Sequence, residues 1–113
     1  MVIINNMSCG IYKITNNLNN KCYIGQSLII EERWKEHKRN AWNKITPLYE
    51  AIRKYGLKNF TFSIIEECDS ELLNDREKYW ISYYNSFNNG YNNNKGGNCY
   101  RKNYKPPKQI INN

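Results

Sequence analysis

The sequence lacks the marks of several large protein classes. None of its 4 cysteines, Cys9, Cys22, Cys68 and Cys99, stands in a C-x-x-C pair, so the signal for a zinc site is weak. The start, Met1-Val2-Ile3-Ile4-Asn5-Asn6, has no basic residue and no long apolar run, so no signal peptide is expected. No stretch is long and apolar enough to cross a membrane, and no segment repeats. The cysteines therefore read as reduced structural residues of an intracellular protein. Acidic side chains are scarce: 10 Asp and Glu stand against 17 Lys and Arg, leaving +7. Such a surplus attracts polyanions, nucleic acid before anionic membrane, although it also serves plain solubility.

What is present fits one globular domain. The chain has 113 residues, 40% of them hydrophobic and 14% aromatic, with 10 tyrosines. That length buries a modest single core without metals or disulfides. Asn, Lys, Ile and Tyr are heavily used, which points to AT-rich coding of the kind found in viruses, phages and some microbes.

Gly10 to Thr15 and Lys21 to Gly25 are rich in strand formers, and Asn16-Asn17-Leu18-Asn19-Asn20 between them is turn chemistry. The reading is a β-hairpin. A turn centred on Asn17 and Leu18 would set Tyr12 directly across from Tyr23. Ile30, Trp34, His37 and Ala41 recur at helical spacing and predict a helix over 30–41. Thr46 and Pro47 mark the start of a second helix, whose apolar face is Leu48, Ala51, Ile52 and Tyr55, and Gly56 marks its end. Phe60, Phe62 and Ile64 alternate as in a third strand. Asp69 or Ser70 would cap a third helix with the stripe Leu73, Glu77, Trp80, Ile81 and Tyr84. Residues 85–98 are rich in Asn and Gly and suit turns. Arg101, Lys102, Lys105 and Lys108 lie in a Pro-containing basic tail, expected to be extended. The fold class is α/β, a short and mostly antiparallel sheet with helices packed on it.

Some residues sit where their chemistry does not belong. Glu77 lies inside an apolar stripe, where a bare carboxylate is costly unless it is paired, reaches water or holds a metal. His37 occupies a similar place, as a satisfied core residue or as a working one. Arg33 stands one turn before it, so both can address one phosphate; equally, Lys35, Lys38 and Arg39 make this a basic, solvated helix face. Tyr12 and Tyr23 alone read as ordinary strand tyrosines.

Together these pieces resemble the GIY-YIG nuclease family. Gly10-Ile11-Tyr12 and Tyr23-Ile24-Gly25 resemble the two halves of its signature. Glu32-Arg33-Trp34 carries the arginine position, and His37 matches a histidine one turn later in homing-type members. Asp75-Arg76-Glu77-Lys78-Tyr79-Trp80 resembles the helix with the metal-binding glutamate, and Gly90-Tyr91-Asn92 the terminal block with its asparagine. Gln26 departs from members that carry a lysine there. The resemblance implies a three-stranded antiparallel sheet flanked by helices, a nuclease domain over 8–97 and a basic tail over 98–113. It implies a phosphodiester hydrolase acting on DNA, duplex or branched, with one Mg²⁺ or Mn²⁺ ion at Glu77. Tyr12 would accept a proton, Tyr23 orient, Arg33 brace the phosphate, His37 assist and Asn92 stabilise. Lys35, Lys38, Arg39, Arg101, Lys102 and Lys105 would contact DNA. The alternative is a non-catalytic nucleic-acid-binding module on the same fold. The sequence carries nothing on oligomeric state.

Overall fold

The computed structural model describes residues 7–97. The tail expected over 98–113, with Arg101, Lys102, Lys105 and Lys108, lies outside them, as does Cys99. The elements in chain order are β1 (Gly10–Asn16), β2 (Cys22–Ser27), α1 (Ile30–Asn40), α2 (Pro47–Tyr55), β3 (Phe60–Glu67) and α3 (Leu73–Tyr84). Short 3₁₀ turns, Leu57–Asn59 and Ser70–Leu72, lead into β3 and α3. The three strands form one antiparallel sheet in the order β2-β1-β3. The expected α/β class, a three-stranded antiparallel sheet flanked by helices, is what the chain adopts.

The hairpin register corrects one expectation. Tyr12 is opposite Gly25, and Tyr23 is opposite Ile14. The turn is longer than two residues. Asn16 O accepts from Asn20 N at 2.7 Å, the Asn16 side chain accepts from Leu18 N, and Asn20 takes a left-handed φ of 64°. Asparagine tolerates that conformation because its short polar side chain bonds locally. The centre of the turn therefore moves one residue along, and the pairing moves by two. A two-residue shift keeps every side chain on its face, so Tyr12 and Tyr23 remain neighbours, diagonally, with ring centroids 6.3 Å apart.

Thr46, Pro47 and Gly56 punctuate α2 as their chemistry requires. Thr46 Oγ1 accepts from Tyr49 N at 3.1 Å, and Gly56 takes a φ of 92°. The side-chain cap expected at Asp69 or Ser70 is not made, because the 3₁₀ turn intervenes before α3.

Helices cover both faces of the sheet, and each face has its own core. On one, Tyr12, Ile14 and Phe60 pack with Ile30 of α1 and with Leu48, Tyr49 and Ile52 of α2. On the other, Ile11, Cys22 and Ile24 pack with Leu73 and Ile81 of α3. A bulge in β3 opposite Ile11 and Tyr12 lets Ile65 join this second core. Ile64, the last of the alternating residues, sits opposite Tyr12 at 36% exposure.

β2 is an edge strand, and the segment after α3 closes that edge. Tyr91 N donates to Cys22 O at 2.9 Å. The side chain of Asn92 then pairs with Ile24 as a strand would. Its Oδ1 accepts from Ile24 N and its Nδ2 donates to Ile24 O, both at 2.8 Å. An unpaired edge is thereby satisfied by one amide.

Candidate active site

The site residues expected from the sequence gather around β2, reached from both faces. Tyr12 is 1% exposed, and its ring lies across Gly25 so closely that a Cβ there would collide with it. A Cβ at Gly10 would collide with the backbone carbonyl of Glu66 in β3. Both glycines are therefore there to admit a close approach.

The Tyr12 hydroxyl is joined to His37 Nε2 at 2.7 Å, and His37 Nδ1 to the Tyr49 hydroxyl at 2.7 Å. Both ring nitrogens are thus engaged, and His37 is 2% exposed. Burial, with Arg33 nearby, lowers the pKa of His37 to about 3, so the ring is held as neutral imidazole. This leaves no histidine cation to share a phosphate with Arg33. Burial also raises the phenol of Tyr12 well above its ordinary value; Tyr23 and Glu77 push the same way, and Arg33 opposes them. Arg33 is itself partly sheltered. Burial pulls its pKa down, but Tyr12 and Glu36 outweigh that and hold the guanidinium charged. Its Nη1 donates to Glu36 Oε1 at 2.7 Å. Tyr23, Arg33, His37, Lys44 and Tyr49 border a cleft of about 270 Å³.

The carboxylate comes from the other face. Glu77 is 8% exposed on α3. Its Oε1 accepts from Gln26 Nε2 at 2.9 Å and from Gly97 N at 3.2 Å. Among the described residues it has no ion-pair partner, and Oε2 accepts no hydrogen bond. Gln26 also donates to Asn74 Oδ1 at 2.8 Å, which ties the strand to the helix. No cluster of three or more metal-binding side chains exists among the described residues. One hard oxygen donor with a free second oxygen fits Mg²⁺ or Mn²⁺, which keep waters and phosphate oxygens as their other ligands. It does not fit zinc, which takes a full set of N and S ligands.

The GIY-YIG catalytic domain model matches residues 8–92. The chain belongs to the GIY-YIG family. Intron-associated endonuclease 1 of Enterobacteria phage T4 is 40% identical over 85 residues, covering 71% of this chain and 34% of that protein. Probable intron-encoded endonuclease 1 of Neurospora crassa is 38% identical over 83 residues, covering 67% of this chain and 27% of that one. The chain thus spans about a third of the length of these curated relatives. The catalytic domain of intron endonuclease I-TevI superposes with a TM-score of 0.69 at 38% identity, covering 74% of this chain and 96% of that one. A mutant form of the same domain gives a TM-score of 0.73 at 37% identity, over 80% of this chain and 97% of that one.

Within this GIY-YIG domain, Tyr12, Tyr23, Arg33 and His37 come together on the α1 side, while Glu77 reaches the same strand from the α3 side. Asn92 spends its polar atoms on Ile24 and on Ser86 Oγ, 2.7 Å away, so its place is in holding β2. Lys35, Lys38 and Arg39 are exposed on α1 but do not border the cleft. Lys35 lies 3.7 Å from Glu32, and Lys38 lies over the Phe62 ring. Three participants were not anticipated from the sequence: Tyr49, Lys44 and Gln26 as the holder of Glu77. For Tyr49 a signal existed. It follows Thr46 by three residues and lies beside the apolar stripe of α2.

Proposed function

We propose that this domain is a metal-dependent DNA endonuclease, and that the site around β2 hydrolyses a phosphodiester bond. The observation that carries the reading is the buried carboxylate of Glu77, paired with no cation among the described residues and near enough to Tyr12 for its charge to act there. A purely binding module has no use for such a charge, because it repels phosphate.

Glu77 would hold one Mg²⁺ or Mn²⁺ through Oε2, with Oε1 kept in place by Gln26 and Gly97. A divalent ion there supplies positive charge against the charge that builds on the phosphate. Arg33 braces the same phosphate with its planar fork of donors. Tyr12 takes a proton from the attacking water while its own proton passes to His37 Nε2, so the phenolate need not form in advance. Tyr23 orients from the diagonal position. The endonuclease names of the relatives support DNA as the substrate. The basic surplus supports it too, and Lys35, Lys38, Arg39 and the tail cations Arg101, Lys102 and Lys105 would add backbone contacts.

The test is incubation with supercoiled, linear and branched DNA, with Mg²⁺, with Mn²⁺ and with excess chelator. Cutting that needs the ion is expected. Binding without cutting under every condition would return the domain to a non-catalytic role, and cutting indifferent to chelator would remove Glu77 from the chemistry.

A further inference from the structure

We propose that Tyr49 is a positioning residue of the same reaction: the outer member of a Tyr12–His37–Tyr49 relay that fixes the imidazole tautomer and passes a proton out to the cleft. This rests on Tyr12 being the proton acceptor. The three groups form an unbroken chain, with both hydrogen bonds at 2.7 Å. Tyr12 is 1% exposed, and both ring nitrogens of His37 are occupied by the two tyrosine hydroxyls, so a proton taken up at Nε2 can leave the ring only through Tyr49. Tyr49 borders the cleft. Its place is fixed from two sides. Its backbone N–H is bound by Thr46 at the start of α2, and its ring meets His37 edge-on at a centroid distance of 5.7 Å.

A neutral imidazole has one N–H and one lone pair, so its two ends must act oppositely. A proton arriving at Nε2 without one leaving Nδ1 would make a buried imidazolium close to Arg33, which burial and that positive charge both oppose. The proton must therefore leave on the Tyr49 side. The bookkeeping closes as follows. The water O–H gives its proton to the Tyr12 oxygen, the Tyr12 proton goes to Nε2, the Nδ1 proton to the Tyr49 oxygen, and the Tyr49 proton to cleft water. The hydroxide forms its bond to phosphorus, and the leaving oxygen departs with its electron pair. No residue in the chain changes charge.

The test is Tyr49→Phe in the full chain, on supercoiled DNA with Mg²⁺, beside Tyr12→Phe. The ring of Tyr49 is kept and only the hydroxyl goes. We expect kcat to fall by about a hundredfold, the low end for a lost proton-transfer group, with KM unchanged and the unfolding midpoint lowered but the protein still folded, because the buried Nδ1 loses its partner. Nitrogen NMR of His37 should show one fixed tautomer in the parent protein and loss of that preference in Tyr49→Phe. If Tyr49→Phe cuts at the parent rate while Tyr12→Phe is inactive, the relay is overturned and the acceptor role of Tyr12 survives. If Tyr12→Phe itself cuts normally, the underlying reading falls and the relay with it. Should Tyr49→Phe unfold, the parent spectrum decides: an equal mixture of tautomers overturns the relay.

Discussion

The two faces of the sheet carry opposite kinds of groups. On the α1 and α2 side, Tyr12, His37 and Tyr49 form a buried chain of neutral groups, with Arg33 charged at its rim. On the α3 side a buried carboxylate, Glu77, is held by an amide side chain and a backbone N–H, with no cation paired to it among the described residues. Groups that pass protons are easiest to bury uncharged. A group that holds a metal must keep its charge and be steadied by dipoles. Only β2 lies between them, with Gln26 bound to Glu77 on one face, and Gly25 removes the side chain that would stand in the way of Tyr12. On the proposed mechanism, the arrangement would separate charge from proton transfer by the width of one edge strand.

The contrast breaks most completely if the charge is removed from the α3 side. Glu77→Gln keeps the shape, and its amide oxygen can still accept from Gln26 and Gly97. We expect cleavage to fall by roughly 100- to 1000-fold, the range for losing a key electrostatic group. The fold should hold, and DNA affinity should stay level or rise as a repulsive charge goes. Supercoiled-DNA nicking and a binding titration on the same preparation measure both. Parent-level nicking would mean that the two faces do not cooperate.

The next effect concerns the seam itself. Asn92→Ala strips partners from Ile24 N, Ile24 O and Ser86 Oγ, all three hydrogen-bonded to Asn92. A buried polar group left alone costs about 1–3 kcal/mol, and relaxation spares part of the sum. A loss of about 3 kcal/mol in unfolding free energy is expected, seen as a lower urea midpoint. An unchanged midpoint would show that the β2 edge needs no closure.

These two sites differ in how far the sequence announces them. Glu77 is legible because a carboxylate inside an apolar stripe contradicts its surroundings, and Tyr12, Tyr23 and Arg33 are legible as blocks in order. The pairing of α2 with the site is not. Tyr49 meets His37 only because two helices cross the same face, and spacing along the chain does not carry that contact. Gln26 reads as a departure from a lysine pattern. Its partner is visible only once register puts its side chain on the α3 face, opposite Ile11. The register itself eluded the turn rules because four asparagines around Leu18 allow more than one centre, and the left-handed Asn20 decides between them.

The neutrality of the proton-handling face has its own signature. An unfolded histidine titrates near 6.5, and His37 in the fold near 3. Between those values the unfolded chain takes a proton that the native state refuses. The stabilisation is therefore complete above 6.5 and is lost as pH falls, by up to about 1.4 kcal/mol per pH unit. The groups facing His37 are Tyr12 and Tyr23 from the sheet, Tyr49 from α2 and Arg33 from α1. Urea midpoints taken from pH 7 to pH 4 should fall steeply in the parent and less steeply in His37→Gln. Parallel curves would place the acid sensitivity elsewhere.

The smallest effect lies at the rim, where the two kinds of chemistry meet the solvent. Arg33 and Glu36 are paired at 2.7 Å, with 36% and 47% of their side chains exposed. A pair so exposed contributes about 0–1 kcal/mol, so Glu36→Gln should leave the unfolding midpoint almost unchanged. Its effect on DNA should nonetheless be visible. Glu36 competes with phosphate for the guanidinium and adds a negative charge beside the cleft. Its removal should tighten binding by about two- to fivefold at low salt, and the gain should shrink as salt screens the surface. Measuring Kd at two salt concentrations in a Glu77→Gln background keeps cleavage out of the reading. Weaker binding in Glu36→Gln would reverse the sign. The carboxylate would then be orienting Arg33 for the phosphate, and the rim would belong to the proton-handling face as a third fixed group.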